Sequence, residues 1–557
     1  MSARLFSPSR LRAAAGLLRR AFTRTVVAAL LAATGASAFA DTYVVSTTAD
    51  TGAGSLRQAM LDANAKQVTD GSACAGHTIT FNIPGAAPHT IQPHSPLPPI
   101  HIPIAFEGYS QPGSSENTAF TGSNAVIAIE LDGSFAGSTD AFVVGAAVPG
   151  SGLCPGNTSA FRGLVINRFA GAAISMGEEI CPIGQACICG GVLIQGNYIG
   201  TDVTGTQARG NGTVLARPAL VFGTSCVVNV VGDQILQDGG PSSPRPQSRN
   251  VISGNGADAI LMFSTSSNSA NGLSQGHTIR NNYIGTAASG AAALSNGGRG
   301  ITMETNTSGM KIYDNLISAN MSDGVAVFDS QWPGTAVIGN GIGIGIAGQA
   351  FGNGGHGVVV ANHAIGVTVG SRLIFLPTAA AIANNAGAGL FMDDFAIVDA
   401  GNLSSAHNGG LALDLAPLGV NPNDPGDGDL GPNELLNRPV ITSVVADSGS
   451  QVGSVAGVLD AVPNSTYEIH FFLNDACDPG GYGGGQTPYP ASASVTTDAS
   501  GHGSFAQPTQ FLPAGRYLTA LARGFSTTLP VQALMTSEYS NCMLIGAGDR
   551  IFANGFD

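Results

Sequence analysis

One phrase returns along the middle of this chain and limits what it can fold into: an Asn, one or two Gly, then alternating apolar residues. Its clearest copies are Asn255-Gly-Ala-Asp-Ala-Ile260, Asn296-Gly-Gly-Arg-Gly-Ile301, Asn320-Met-Ser-Asp-Gly-Val325, Asn353-Gly-Gly-His-Gly-Val358 and Asn385-Ala-Gly-Ala-Gly-Leu390. A second phrase interleaves with it: Ile194-Gln-Gly-Asn197-Tyr-Ile199-Gly200, Ile279-Arg-Asn-Asn282-Tyr-Ile284-Gly285, Ile312-Tyr-Asp-Asn315-Leu-Ile317-Ser318 and Val337-Ile-Gly-Asn340-Gly-Ile342-Gly343. Self-similarity at a period of about 20–50 residues means stacked units, each burying its apolar face against its neighbours. The apolar residues alternate and helical spacing is absent, so the units are strands. Asn and Gly tolerate positive φ and suit the corners between them. The chain is expected to be a solenoid of β-coils, all-β, with asparagines aligned at its bends.

Composition narrows the possible partners. Only 10% of residues are charged while 43% are hydrophobic, the reverse of a disordered chain. Residues 1–40 hold six of the 22 basic residues and none of the 36 acidic ones. The apolar run Thr25–Thr34 and Ala38-Phe-Ala40 follow, giving an expected Sec-type signal peptide over 1–40 and an exported product, extracellular or on the outer surface. Arg19-Arg20 reads as ordinary signal-peptide basicity rather than a twin-arginine motif. Without the leader, 16 basic residues face 36 acidic ones, a balance that repels nucleic acid. No run is long enough for a transmembrane helix, and a monomer is expected.

The eight Cys all lie beyond residue 40, where oxidation is permitted. Cys477 and Cys542 stand apart from the rest and are expected to pair. Cys74, Cys154, Cys181, Cys187, Cys189 and Cys226 leave their connectivity open.

The expected layout is a cap and first irregular coils over 41–135, regular coils over 136–420 and an Asp/Gly/Pro-rich linker over 421–438. A β-sandwich over 439–545 and a short tail over 546–557 complete it. Ser55 and Gln58 form a capping box for a helix whose Leu56, Ala59, Met60 and Ala63 share one face. Such a helix would cover the open end of the stack, which otherwise templates aggregation. The sandwich follows from about seven strands, from Ile441–Ala446 to Ser537–Met543, with clean alternation in Tyr467, Ile469, Phe471 and Leu473.

Thr48–Asn64, Gly108-Tyr-Ser-Gln-Pro-Gly113, Gly196-Asn-Tyr-Ile-Gly-Thr-Asp-Val-Thr-Gly205, Asn250-Val-Ile-Ser-Gly-Asn255, Asn423–Asn433 and Cys477-Asp-Pro-Gly-Gly-Tyr482 resemble segments of bacterial right-handed parallel β-helix repeat proteins. The resemblance covers most of the chain. It implies a pectin-lyase-like, right-handed parallel β-helix with an N-terminal helical cap and a C-terminal immunoglobulin-like domain. That superfold serves lyases, hydrolases, tailspikes and adhesins, so it leaves activity open.

Candidate chemistry therefore rests on individual side chains. Counted from the Gly that opens each coil strand, Glu304, Asp393 and Asp414 sit four residues on, Asp329 sits five on, and Asp394 adjoins Asp393. Stacking would line these acids along one edge, where carboxylates about 5 Å apart could serve a retaining glycosidase. Exposed turn acids are the plainer reading. Gly355-His356-Gly357 with Asp393-Asp394 matches parts of a polygalacturonase site, but in reversed order and without the flanking motifs. Asp424, Asp427, Asp429 and Glu434 gather oxygen donors that could hold Ca²⁺. His77, His89, His94 and His101 lack zinc spacing. Trp332, the single Trp, lies on a turn where it could stack on a sugar. The leading expectation is non-catalytic binding or adhesion to an extracellular polysaccharide or cell-surface glycan. The alternatives are a lyase or glycoside hydrolase on acidic polysaccharide, and a rigid spacer.

Overall fold

A computed structural model describes residues 41–66, 76–145, 158–176, 191–223, 229–234, 243–263, 274–370, 381–447, 452–478, 480–510, 512–529 and 532–546. The expected leader, the six N-terminal cysteines and the tail beyond 546 lie outside these residues.

Three long parallel sheets run side by side through most of the chain, of eleven, ten and nine strands among the described residues. The chain visits them in turn, one short strand each, so every circuit is a coil: Thr278–Arg280, Tyr283–Ile284, Ile301–Met303, then Lys311–Tyr313 and onward. This is a parallel β-helix. The alternation in the sequence explains its interior, because a strand sends every second side chain inward. In the first sheet one inward row reads Ile79, Phe106, Phe161, Ile194, Val231, Ile279, Ile312, Val337, Val369. None of these is more than 1% exposed. The third sheet stacks Ile174, Leu220, Ile260, Ile301, Val325, Val358, Leu390 and Leu413 in the same way.

Asparagines close the bends in two ladders. Between the first and second sheets, the side-chain amides of Asn197, Asn250, Asn282 and Asn315 each donate to the Oδ1 of the next coil's Asn, ending at Asn340, at 2.9–3.2 Å. Between the second and third sheets the chain of donors runs Asn211, Asn255, Asn296, Asn320, Asn353, Asn385, Asn408 at 2.8–3.1 Å. Most members also donate to a backbone carbonyl of the preceding coil, as Asn250 does to Ile194 and Asn315 to Ile279. Buried amide groups at a sharp bend need such partners, and stacking supplies them coil after coil.

Both ends of the rod are covered. The helix Leu56–Lys66 packs Leu56, Ala59, Met60 and Ala63 into the β-helix core, each at most 6% exposed. Ser55 Oγ accepts from the Gln58 backbone N–H at 3.1 Å, while Gln58's side chain turns to Asp62, so half of the capping box forms.

At the other end, two antiparallel sheets of three and five strands form a β-sandwich around Ile441, Val455, Ile469, Phe471 and Leu518. The Cys477–Cys542 disulfide ties its loop to its last segment. Most of the final expected strand, Ser537–Met543, falls between two short strands, Leu534–Thr536 and Met543–Leu544: Ser537 and Ser540 stay bonded to Ala522 and Ala520 of the sandwich, while Glu538 and Tyr539 turn to the β-helix. There Tyr539 donates its hydroxyl to the Leu403 carbonyl at 2.9 Å, and Phe472, Leu521 and Tyr539 enter the core of the rod. The alternation of that segment therefore serves docking rather than a seventh full strand. Residues 421–438 are likewise packed into the seam, with Asn433 bonded to Val398 and Thr536.

Candidate functional site

The third sheet turns toward the first through a corner built the same way in four successive coils. Its backbone passes through the left-handed region at Thr305, Asp329, Asn362 and Asp394, with φ of 35°, 50°, 56° and 49°. Strand register aligns these four with one another. Asn and Asp adopt this conformation more readily than most residues, so the corner selects them on backbone grounds alone. One residue earlier, Glu304, Phe328, Ala361 and Asp393 form an outward row.

What the corner presents is mixed. Glu304, Thr305, Phe328, Asp329 and Asn362 line an open depression. Trp332 and Phe395 flank this corner at 50% and 49% exposed, large values for aromatic side chains. Trp332 lies against Gly366 of the next coil, where a Cβ would approach its ring to 2.7 Å. The Phe395 ring stacks on His363 at 5.6 Å, and His363 Nδ1 lies 3.3 Å from Asp394. Asp329 accepts from the Asn306 backbone N–H at 3.1 Å and the Gln331 amide at 2.6 Å. Those donors hold its carboxylate within the turn.

The expected acid row is thus only partly assembled. Glu304 and Asp393 share a row but are separated by the coils of Phe328 and Ala361, about 14 Å at about 4.8 Å per coil. Asp329 and Asp394 belong to the neighbouring, left-handed row, with Asn362 between them. Asp414 stands apart. It pairs with Phe391, two residues before Asp393, because Leu390 registers with Leu413. The coil-opening Gly300, Gly324, Gly357 and Gly389 therefore align with Ala412, and counting from Gly410 starts two residues early. Asp414 is 2% exposed and bonded to the Gly419 N–H at 3.1 Å. Burial pushes its carboxyl up to about 6 against that bond. Neither row sets two carboxylates on adjacent coils, as the about 5 Å spacing of a retaining glycosidase requires.

Beside the corner, the variable slot of the repeat makes a ladder of its own. Asp258 accepts from the Arg299 N–H and Thr302, Arg299 Nε donates to Asp323 at 2.8 Å, and Asp323 accepts from the His356 N–H. The Arg299 guanidinium lies over Phe328 at 5.3 Å, and His356 stacks on Phe391 at 4.7 Å. His356 Nδ1 accepts from the Ala388 N–H at 3.0 Å, and burial, opposed by Asp323, lowers its pKa. A neutral imidazole committed to the backbone explains Gly-His-Gly structurally. Asn362, His363, Phe328 and Phe395 were not singled out in the sequence. The signal was their alignment with Asp329 and Asp394, which only the strand register exposes.

No protein-family model matches this chain, and no curated protein does. Among solved structures it is similar to the Dettilon tailspike protein (gp208), at 12% identity and a TM-score of 0.19, over 91% of this chain and 92% of that one. It is also similar to the enzymatically active domain of bacteriophage CBA120 tailspike protein 2, at 9% identity and a TM-score of 0.15, over 83% and 71%. At these scores neither likeness bears on the chemistry of the corner.

A second cluster lies in the 421–438 segment. Carboxylate oxygens of Asp424, Asp427 and Asp429 fall within 4.8 Å of one another. Asp427 is 8% exposed and accepts from the Asn437 N–H at 2.8 Å. Burial, with the charges of Asp424, Asp429 and Glu434, pushes its carboxyl up to about 7 despite that bond. Burial and Asp424 also raise Asp429. Glu434 does not complete the set. Burial raises its carboxyl, but donors from Ser526, Thr527 and Thr528 outweigh this and leave it below its ordinary range. Its oxygens are taken up in holding the sandwich loop. Among the described residues no helix is long and apolar enough to cross a membrane.

Proposed function

We propose that this chain is an exported, non-catalytic glycan-binding protein, active as a monomer, that holds polysaccharide along the corner between its third and first sheets. The observation that carries the reading is the pairing of exposed Trp332 and Phe395 with hydroxyl-binding groups at Glu304, Asp329, Asn362 and Asp393. Aromatic faces suit the C–H faces of sugar rings, and carboxylates and amides accept or donate to their hydroxyls. The corner repeats over four successive coils, which suits an extended polymer rather than a compact ligand. Three carboxylates and a chain net charge of −14 favour neutral glycans over polyuronates.

The donor set of Asp424, Asp427 and Asp429 is all hard oxygen, the chemistry Ca²⁺ takes. Asp424, Asp427 and Asp429 would hold such an ion, which would stiffen the 421–438 segment without a part in sugar binding. The leading test is calorimetric titration with neutral, amino and uronic oligosaccharides, with product analysis alongside. Binding of neutral oligomers without cleavage is the expected result. New reducing ends or unsaturated uronates, lost in Glu304→Gln or Asp329→Asn, would replace the binding reading with a hydrolase or lyase.

A further inference from the structure

Where the sandwich meets the last coil, a buried carboxyl group bridges three segments. Glu538, 4% exposed, comes from between the last two short strands of the sandwich. Its Oε1 accepts from the Leu415 backbone N–H at 3.2 Å and the Asn421 side-chain amide at 3.1 Å. Its Oε2 accepts from the Asn421 backbone N–H at 3.1 Å. Leu415 belongs to the last strand of the third sheet and Asn421 to the segment that follows. One side chain thus joins rod, connecting segment and sandwich.

The titratable groups facing it are few. Asp414, from the last coil, is buried on its near side, and Arg438 approaches Oε2 to 3.8 Å. Arg438 is itself engaged: it donates to the Asn421 carbonyl and the Tyr482 hydroxyl and lies over the Tyr482 ring at 4.7 Å. The buried Tyr539 adjoins in sequence and seals the apolar side with Phe472 and Leu521. Arg438 thus offsets only part of the burial of Glu538, and the charge of Asp414 works against it. Both carboxyl groups cannot be charged without cost in so dry a seam.

We propose that Glu538 and Asp414 form a proton-sensitive latch that holds the sandwich against the end of the β-helix at acidic pH and loosens that seam as pH rises toward neutrality. Burial lifts Glu538 to about 7 against its donors, with Asp414 adding to the rise, and lifts Asp414 to about 6. Both folded values are raised. The contribution to the closed seam is therefore complete below the ordinary carboxyl range near 4 and is lost as pH climbs through about 6 to 7. An opened seam uncovers Leu403, Leu413 and Leu415 at the end of the rod.

Hydrogen exchange of the full chain in EDTA, from pH 4.5 to 8.5 and corrected for intrinsic rates, tests the latch. Protection over residues 413–421 and 537–541 is expected to fall at least about tenfold from pH 4.5 to about 7 and to change little above that, a span set by the ordinary carboxyl range and the two lifted values. Glu538→Gln, neutral at this position at every pH, is expected to keep only the smaller fall below about pH 6 that Asp414 gives. Asp414→Asn, should Glu538→Gln fold poorly, is expected to move the midpoint to lower pH, because Asp414's charge raises Glu538. Flat wild-type protection, an undiminished fall in Glu538→Gln, or an unmoved midpoint in Asp414→Asn would each overturn the proposal.

Discussion

At the residue scale, the asparagine ladders govern stability. An interior member such as Asn315 gives its amide to Asn340 and to the Ile279 carbonyl and accepts from Asn282. Removing it leaves buried groups on two neighbouring coils without partners, each costing about 1–3 kcal/mol. Asn315→Ala is therefore expected to destabilise the protein by about 2–4 kcal/mol, and Asn408→Ala, at the end of its ladder, by less; urea unfolding followed by circular dichroism checks the order. Most of these positions were legible because Asn recurs beside Gly at each bend. Asn211 and Asn408 escaped notice because loops of unequal length displace them from the repeat. Asp414 was misplaced for a related reason: Ala412 occupies the position of the Gly from which the other coils are counted.

The three aspartates of the 421–438 segment call for a residue-scale test of their own. A proton and Ca²⁺ compete for Asp427, whose carboxyl is pushed up to about 7. Without the ion, the stability tied to that proton is lost as pH rises through about 7. Millimolar Ca²⁺ is accordingly expected to raise the melting temperature at pH 8 and to do little at pH 5, with Asp427→Asn removing the difference. Differential scanning calorimetry at the two pH values decides it.

At the scale of elements, the chain's main problem is two open sheet ends. The helix Leu56–Lys66 solves one, and its amphipathic face and cap were readable from Ser55 onward. Met60 is wholly buried in the core. Met60→Lys is expected to lift the helix and leave the first strands unprotected, producing self-association visible by light scattering without loss of β circular dichroism. The solution at the other end was not readable. Ser537–Met543 alternates like a strand, yet Ser537, Glu538, Tyr539 and Ser540 are all at most 4% exposed, because the two serines bond to the sandwich while Glu538 and Tyr539 face the rod. Alternation reports burial of every second residue, not which partner buries it.

At the scale of the whole molecule, rod and sandwich share one core boundary: Phe472, Leu521 and Tyr539 pack into the rod, and Ile397 packs into the sandwich. Arg523 strengthens the seam through its ion pair with Asp399 at 2.7 Å. The sandwich therefore closes the solenoid, which a reading of 421–438 as a plain linker did not foresee. The candidate site depends on this long-range order too, since Asp329 and Asn362 meet in one depression, and Trp332 meets Gly366, only when successive coils lie in register. Titration of the purified protein with a neutral oligosaccharide, beside Trp332→Ala, tests that convergence most directly. Saturable binding by the wild type is expected, about tenfold weaker in the variant, as loss of one stacking contact of about 1.4 kcal/mol implies. Absence of binding to any neutral glycan, or equal binding by Trp332→Ala, would contradict it.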